Sequence, residues 1–183
     1  QSAIICNVQM EKSHQNIAYE RFTQFGPLAM LPMVDKQTAG KTCSLVWTLT
    51  PEQAKFHFAQ SEDDFKRDLL RAFGSWLGEV KSASKRLKFP LSLVQADDQV
   101  FHRMALVGNA SHTIHPIAGQ GFNLGARDVI SLSRRIVDRW KTGEDIGSFA
   151  MLNNYTERRK QDHQTVIRLT DSLVTLFSNN LPA

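Results

Sequence analysis

The sequence predicts an α+β fold in which a mainly antiparallel sheet is followed by C-terminal helices. Short β-branched and aromatic segments fill the first part of the chain, whereas apolar residues recur at helical spacing in the later parts. Strands and helices therefore occur in separate runs, which is typical of α+β domains and not of a parallel βαβ domain. The 183 residues are 42% hydrophobic, which is enough for a core of ordinary size.

Four strands are predicted in the N-terminal part of the chain, at residues 3–10, 18–24, 28–34 and 42–49. Gly26 and Pro27 separate the second strand from the third, and the polar residues 35–41 form a hairpin-type connection to the fourth. These signals predict an antiparallel sheet of about four strands. Two later segments, 89–94 and 103–107, are predicted to be additional short strands.

Helix signals follow the fourth strand. Thr50 before Pro51 is a typical N-cap, and Ser61 with Asp64 resembles a capping box at the start of a second helix. That helix is expected to pack on the core through an apolar stripe at spacings of three and four, formed by Phe65, Leu69, Phe73, Trp76, Leu77 and Val80. Residues 149–178 predict one or two further helices. An amphipathic helix is predicted between the second helix and residues 149–178. Its apolar face consists of Phe122, Ala126, Val129, Ile130, Ile136, Val137 and Trp140.

The most informative segment is the glycine-rich stretch from Gly108 to Gly125, which leads into this amphipathic helix. Glycines allow a ligand to approach the backbone closely, and the N–H groups at a helix N-terminus favour an anionic group. A ligand with delocalised negative charge would fit there. The alternative is that Gly119 and Gly121 only form a tight turn before the helix.

Composition and spacing argue against several classes of function. A net charge of +4 is small for a surface that binds nucleic acids. No apolar run approaches the roughly 20 residues that span a bilayer. Cys6 and Cys43 have neither disulfide-framework nor zinc-site spacing, which suits a cytoplasmic protein. No metal is expected, because His112 and His115 have no carboxylate or cysteine beside them in the sequence. Strand-like residues start almost at Gln1, so we expect a fragment whose N-terminal part is missing.

The longer pattern around the glycines resembles a known flavin-binding motif. Residues 108–129 read Gly-Asn-Ala-Ser-His-Thr-Ile-His-Pro-Ile-Ala-Gly-Gln-Gly-Phe-Asn-Leu-Gly-Ala-Arg-Asp-Val. This run resembles the third flavin-binding motif of the class A FAD-dependent aromatic hydroxylases, most closely the branch that acts on ubiquinone precursors. Segments 14–22, 26–32 and 44–48 are similar to the substrate-domain strands of the 2-polyprenyl-6-methoxyphenol hydroxylases.

The resemblance implies a domain organisation. It implies a fragment of the p-hydroxybenzoate hydroxylase-like fold that lacks the N-terminal dinucleotide-binding half, because no GxGxxG motif occurs in the sequence. Residues 1–100 would form the substrate-domain sheet with two helices. Residues 101–145 would form the C-terminal part of the FAD-binding domain, with a strand, the glycine-rich loop and a helix, and residues 146–183 would form C-terminal helices.

The resemblance also implies roles for individual residues. Pro116 would lie over the flavin ring near the carbon that reacts with oxygen. Apart from the resemblance, His112 and His115 are candidate acids or bases, with a structural loop role as the alternative. Family members often have Asp where Asn109 stands. The cofactor contacts implied are Gly108, Asn109, Pro116, Gly119, Gln120, Gly121, Phe122, Asn123 and Leu124, the last three through amides facing flavin N1 and O2. An apolar surface for the substrate would consist of Phe25, Leu28, Met30 and Leu31, with ordinary sheet core as the alternative.

The implied activity is that of an FAD-dependent monooxygenase, with NAD(P)H as electron donor, which hydroxylates a polyprenylated phenol in ubiquinone biosynthesis. This chain alone is expected to be inactive and flavin-free. One alternative is a flavin hydroxylase of a small soluble aromatic compound, and another is a non-catalytic assembly module of the biosynthetic complex.

The expected partners are the polyprenyl phenol, the missing N-terminal half and a ubiquinone-biosynthesis complex. An uncovered apolar surface would make the fragment self-associate. A cytoplasmic protein at the inner face of the membrane is expected if a set of basic residues contacts lipid, with a solvated helix face as the alternative. This set consists of Arg134, Arg135, Arg139, Lys141, Arg158, Arg159 and Lys160.

Overall fold

The computed structural model describes residues 1–34, 37–114 and 119–177, and these residues divide into two compact units. The first unit comprises residues 1–91 together with the end of the last helix from Val174, and the second comprises residues 92–173. The first contains β1 (Ser2–Met10), β2 (Tyr19–Thr23), β3 (Gly26–Pro32), β4 (Thr42–Leu49), α1 (Pro51–Ala59), α2 (Glu62–Phe73), β5 (Val80–Ala83) and β6 (Leu87–Pro90). The second contains β7 (Val94–Gln95), β8 (Val100–Phe101), β9 (Met104–Ala105), a 3₁₀ turn (Gly108–Ala110), β10 (His112–Thr113), α3 (Gln120–Lys141) and most of α4 (Phe149–Phe177).

An antiparallel sheet forms the first unit, in the order β2-β3-β4-β1-β5, and β6 pairs with the first residues of β1. The four predicted strands are confirmed, and β5 and β6 extend the sheet to six strands. The strand predicted at 89–94 lies slightly earlier, at Leu87–Pro90. Pro90 stands at its end, opposite Ser2, where a missing N–H does not interrupt a central ladder.

The core of the first unit lies between one face of this sheet and the two helices. Cys6, Leu45 and Met30 stand side by side across β1, β4 and β3, and all three are buried. Helix α2 covers them with Phe65 and Leu69, which are also fully buried. Burying a large apolar side chain contributes roughly 1.5–3 kcal/mol, so this layer accounts for much of the stability of the unit.

Both predicted helix starts are confirmed. The Thr50 hydroxyl accepts a hydrogen bond from the Gln53 N–H at 3.3 Å, and the Ser61 hydroxyl accepts one from the Asp64 N–H at 3.1 Å. Each bond satisfies an N–H group that the first turn of a helix leaves without an intrahelical partner. The two caps therefore fix where α1 and α2 begin.

The apolar stripe of α2 is shorter than its spacing predicts. Helix α2 ends at Phe73, because Gly74 has a φ of +92° and breaks the helical path. Trp76, expected on the buried face, is 75% exposed. Leu77 and Val80 are buried but lie beyond the helix, Val80 in β5.

The second unit buries few apolar side chains. Its apolar cluster consists of Ile114, Leu124 and Val166, with Ile167 packed against them. The predicted short strand at 103–107 is found as β9, which pairs with β8, and β10 pairs with β7. Residues 149–177 form one helix, α4. Among the described residues, no helix is both long and apolar enough to cross a bilayer.

The apolar residues predicted along α3 are largely exposed. Phe122 is 84% exposed, and Val129, Ile130, Val137 and Trp140 are also exposed. The buried positions of α3 are instead Leu124 and Asp128. The amphipathic pattern therefore marks a surface of the second unit that is not covered by its own residues.

Candidate functional site

The glycine-rich loop and the first turns of α3 line one cavity in the second unit. The cavity has a volume of about 640 Å³ and an almost wholly apolar lining. Four of the predicted cofactor contacts meet there, namely Gly108, Asn109, Gly121 and Phe122, together with Val107, Gly125, Ala126, Val129 and Ile130. Residues more than ten positions apart in sequence thus form a single concave surface, which is a typical feature of ligand sites.

A close backbone contact fixes the shape of this cavity. Gly108 adopts a left-handed φ of +56°, which favours glycine. A Cβ atom on Gly125 would lie only 3.2 Å from the Cα of Gly108. Two glycines therefore allow the 3₁₀ turn to rest directly on α3.

The N-terminus of α3 offers backbone donors beside this contact. Gly119 is the N-cap residue, with a φ of +61°, and a Cβ atom there would meet nothing within 4 Å. The first four N–H groups of a helix have no intrahelical acceptor, and here they include those of Gly119, Gly121 and Phe122. Phe122 is therefore among the available amides, whereas Asn123 and Leu124 follow them, and the Leu124 side chain is buried. The helix macrodipole adds partial positive charge at this end.

A group of buried polar side chains lies behind the cavity. The Asp128 carboxylate accepts hydrogen bonds from the Gly108 N–H at 3.3 Å and from Arg159 Nε at 2.7 Å, and His163 Nε2 lies 2.6 Å from it. The His112 ring centroid lies 4.4 Å from that of His163, with the two rings tilted at 51°, and His112 Nδ1 lies 3.9 Å from the carboxylate. All four side chains are buried. We call Asp128, Arg159, His112 and His163 the buried charge cluster.

Charge and burial shift the pKa values in this cluster. Burial alone would raise the pKa of Asp128, but hydrogen bonds from His163 and Arg159 outweigh that effect and hold this pKa below its ordinary value. The carboxylate is therefore ionised at neutral pH, and His163 Nε2 donates to it. Burial lowers the pKa of His112, and the neighbouring His163 lowers it further.

The cluster also has the composition of a metal site. Ligand atoms of His112, Asp128 and His163 lie within 4.8 Å of one another. However, the carboxylate oxygen that faces His163 already accepts a bond from Arg159, so a cation there would meet a buried guanidinium. The arrangement fits an internal ion pair better than a metal centre.

The residues predicted to bind the substrate do not share one surface. Leu28 and Met30 are fully buried in the core beneath α1 and α2, the alternative given above for these positions. Leu31 belongs to the opposite face of β3 and is 41% exposed, and Phe25 is 36% exposed in the turn between β2 and β3. Alternation along a strand explains the difference between Met30 and Leu31.

Two further predictions concern residues that do not line the cavity as the structure describes it. His115 and Pro116, the predicted catalytic residues, lie outside the described residues. Arg159, expected among the basic residues of an exposed helix face, is instead buried against Asp128 and Asp162. That correction follows from the register of α4, which turns Arg159 and His163 to the same side because they are four residues apart.

Comparison with known proteins identifies the family of this chain. The sequence profile of the FAD binding domain family matches residues 4–170. The chain belongs to this family. It is 41% identical over 181 residues to ubiquinone hydroxylase UbiL of Rhodospirillum rubrum, covering 99% of the chain and 41% of that protein. It is 36% identical to the 3-demethoxyubiquinol 3-hydroxylase of Escherichia coli, covering 100% of the chain and 45% of that protein. The predicted resemblance to ubiquinone-pathway FAD hydroxylases is thus confirmed, and the chain spans less than half of these relatives.

Solved structures show the same fold. PqsL, described as a probable FAD-dependent monooxygenase from Pseudomonas aeruginosa, superposes with a TM-score of 0.77 at 19% identity, over 97% of this chain and 49% of its own. The p-nitrophenol 4-monooxygenase PnpA from Pseudomonas putida superposes with a TM-score of 0.67 at 18% identity, over 99% of this chain and 44% of its own. The expected α+β fold of the FAD-dependent hydroxylases is therefore confirmed.

Sequence reasoning did not find the buried charge cluster. Asp128 stands within the resembling motif, but its carboxylate was assigned no partner because Arg159 and His163 lie more than thirty residues away. The available signal was the i, i+4 spacing of Arg159 and His163, which turns both side chains to one face of α4.

Proposed function

We propose that this chain is part of an FAD-dependent monooxygenase that hydroxylates a polyprenylated phenol in ubiquinone biosynthesis, with NAD(P)H as electron donor. The observation that carries the proposal is the cavity at which the Gly108–Asn109 turn meets the N-terminus of α3. Two relatives of this chain are named ubiquinone hydroxylase and 3-demethoxyubiquinol 3-hydroxylase. In this proposal residues 1–100 belong to the substrate domain, residues 101–145 are the C-terminal part of the FAD-binding domain and residues 146–183 are C-terminal helices.

The residues at the cavity fit a flavin. Its apolar lining suits a flat aromatic ring, and the open space beside Gly119 gives a planar group access to the backbone. The N-terminal amides of α3 would stabilise an oxygen or nitrogen that gains negative charge. FAD, when bound, would supply the redox chemistry with oxygen that amino-acid side chains cannot perform.

The chain's own groups would then hold and shield the reacting partners. Asn109 can donate to and accept from a hydroxyl group of the cofactor, though without the charge of an aspartate. Phe122 and Val129 would exclude water from the ring. His115 and Pro116 remain the proposed residues beside the reacting atoms, and Phe25 with Leu31 the proposed contacts of the substrate.

The exposed apolar face of α3 suggests how the rest of such an enzyme would attach. Phe122, Val129, Ile130, Val137 and Trp140 are exposed, and the relatives carry further sequence outside the region matched here. We propose that a dinucleotide-binding half covers this face. The 183-residue chain alone would then self-associate and hold little flavin. Light scattering that finds only monomers over a wide concentration range would contradict this part.

The proposal is tested with the gene product expressed from its intact open reading frame. We expect a yellow protein that contains FAD and consumes NAD(P)H faster when a phenol with a polyprenyl tail is added than when its tailless analogue is added. A gene product that never holds flavin would refute the monooxygenase assignment and favour an assembly module. Equal rates with both phenols would favour a small soluble substrate.

A pair of variants localises the cofactor. Gly121→Val places a branched side chain at a residue that lines the cavity and should reduce FAD content severely. Ser133→Val introduces the same side chain at an exposed position of α3 and should leave FAD content unchanged. Because both substitutions place a β-branched residue in the same helix, a difference between them reports on the cavity and not on helix propensity.

A further inference from the structure

One carboxylate connects three segments of the second unit. Asp128 lies about two turns from the N-terminus of α3. One of its oxygens accepts the hydrogen bond from the Gly108 N–H, and the other accepts hydrogen bonds from Arg159 and His163 of α4. Asp128 therefore ties the turn at the cavity to both helices.

The connection is made where no water competes. Asp128 has no exposed surface, and Arg159 is 8% exposed. A buried ion pair that loses one partner leaves the other charge without compensation, which is costly. Replacing the carboxylate would leave Arg159 with only its second ion pair, to Asp162, although Asp128 is not among the residues that line the cavity.

We propose that Asp128 is a positioning residue of the cofactor site, acting through Gly108. Its hydrogen bond holds the Gly108–Ala110 turn on α3, so that Asn109 and the N-terminal amides of α3 keep the spacing that a bound cofactor requires. The identity of that cofactor, FAD, rests on the proposed function. The positioning of the Gly108–Ala110 turn by Asp128 does not rest on the proposed function.

The first test measures how strongly Asp128 restrains the Gly108–Ala110 turn. In the intact gene product, Asp128→Asn removes the negative charge but keeps the size of the side chain. Amide hydrogen exchange in residues 108–110 should become about tenfold faster or more, because the turn opens more readily. The matched control is Asp145→Asn, since Asp145 accepts two hydrogen bonds of 2.9 Å from Arg103 in the same unit but does not line the cavity. Unchanged exchange at 108–110 in Asp128→Asn would overturn the inference.

The second test measures the consequence for the cofactor. Titration of the apoprotein with FAD, followed by quenching of flavin fluorescence, should give a Kd about tenfold higher or more for Asp128→Asn and an unchanged Kd for Asp145→Asn. The visible spectrum of bound FAD should shift only in Asp128→Asn. A wild-type protein that binds no FAD would refute the proposed function, while the exchange experiment would still decide the role of Asp128.

A double variant separates positioning from stability. Asp128→Leu combined with Arg159→Met replaces the ion pair with apolar side chains of similar size, which is often neutral or stabilising. We expect the resistance to urea to recover relative to Asp128→Asn, while exchange at 108–110 stays fast and the Kd for FAD stays high. Recovery of wild-type exchange and FAD affinity in the double variant would show that Asp128 acts only through stability, and would overturn the inference.

Discussion

The two compact units bury different kinds of side chain. In the first, an apolar layer runs without interruption between the sheet and helices α1 and α2. In the second, a carboxylate, a guanidinium and two imidazoles are buried together with a smaller set of apolar side chains, namely Ile114, Leu124, Met151, Leu152, Tyr155 and Val166. Apolar packing is non-directional and tolerates small shifts, whereas buried hydrogen bonds fix distances and angles. The unit that carries the glycine-lined cavity therefore has more directional contacts in its interior.

We expect the largest change in the free energy of unfolding when the buried Asp128–Arg159 ion pair of the second unit is broken. Arg159→Met leaves the Asp128 carboxylate buried without its guanidinium partner, and we expect the free energy of unfolding to fall by about 3–5 kcal/mol. Urea unfolding followed by circular dichroism measures the change. The matched control is Arg103→Met, which breaks an exposed ion pair with Asp145 and should change stability far less. Similar losses in both variants would mean that burial does not distinguish the two pairs.

A second prediction concerns the apolar interior of the first unit. Met30→Ala removes a fully buried side chain beneath the helices and should lower the free energy of unfolding by about 2–5 kcal/mol. Its neighbour Leu31 belongs to the other face of the same strand and is 41% exposed, so Leu31→Ala should cost less than about 1 kcal/mol. The same urea experiment compares the two. If Leu31 contacts the substrate as proposed, only Leu31→Ala will raise KM while leaving stability nearly unchanged.

The third prediction tests the close contact between the turn and α3. Alanine favours a helix over glycine by about 1 kcal/mol, so Gly121→Ala, whose Cβ would meet Ile114 at an ordinary 3.8 Å, should not destabilise the protein. At Gly125 the added Cβ would stand 3.2 Å from the Cα of Gly108 and push the turn away. We therefore expect Gly125→Ala to be less stable than Gly121→Ala by about 1–2 kcal/mol. Equal stability of the two variants would show that the Gly108–Ala110 turn can move away from α3 without lowering the free energy of unfolding.

The same difference between the units explains how far the sequence predicts the structure. The first four strands of the sheet are predicted to within about two residues at each end, because β-branched alternation and caps such as Thr50 are local signals. The prediction that the apolar stripe of α2 continues through Trp76 was wrong, because Gly74 ends the helix. Residue spacing alone does not indicate where the backbone adopts a positive φ. In the second unit the motif marks only part of the cavity lining, namely Gly108, Asn109, Gly121 and Phe122. The cluster behind it depends on contacts between α3 and α4 that no local pattern contains.

The smallest expected effect is a dependence of stability on pH that belongs to the second unit. Neither ring nitrogen of the buried His112 has a hydrogen-bond partner among the described residues, and His163, Asp128 and Arg159 surround it. Its pKa is lowered from the ordinary value of 6.5, so below that pH the unfolded chain takes up a proton that the folded protein does not. The contribution of His112 to stability is thus complete above pH 6.5 and is lost progressively as the pH falls toward its lowered pKa.

This pH dependence is measured by urea unfolding between about pH 7.5 and about pH 5, the range in which histidine side chains titrate. The wild-type free energy of unfolding should decline over this range, and His112→Gln should decline less steeply, whatever its absolute stability. His102→Gln, at an exposed position of the same unit, is the control and should follow the wild-type slope. A slope unchanged by His112→Gln would place the acid sensitivity in other groups. If only His112→Gln abolishes the dependence of the free energy of unfolding on pH, the acid sensitivity of the protein arises in the second unit, where the buried charge cluster lies.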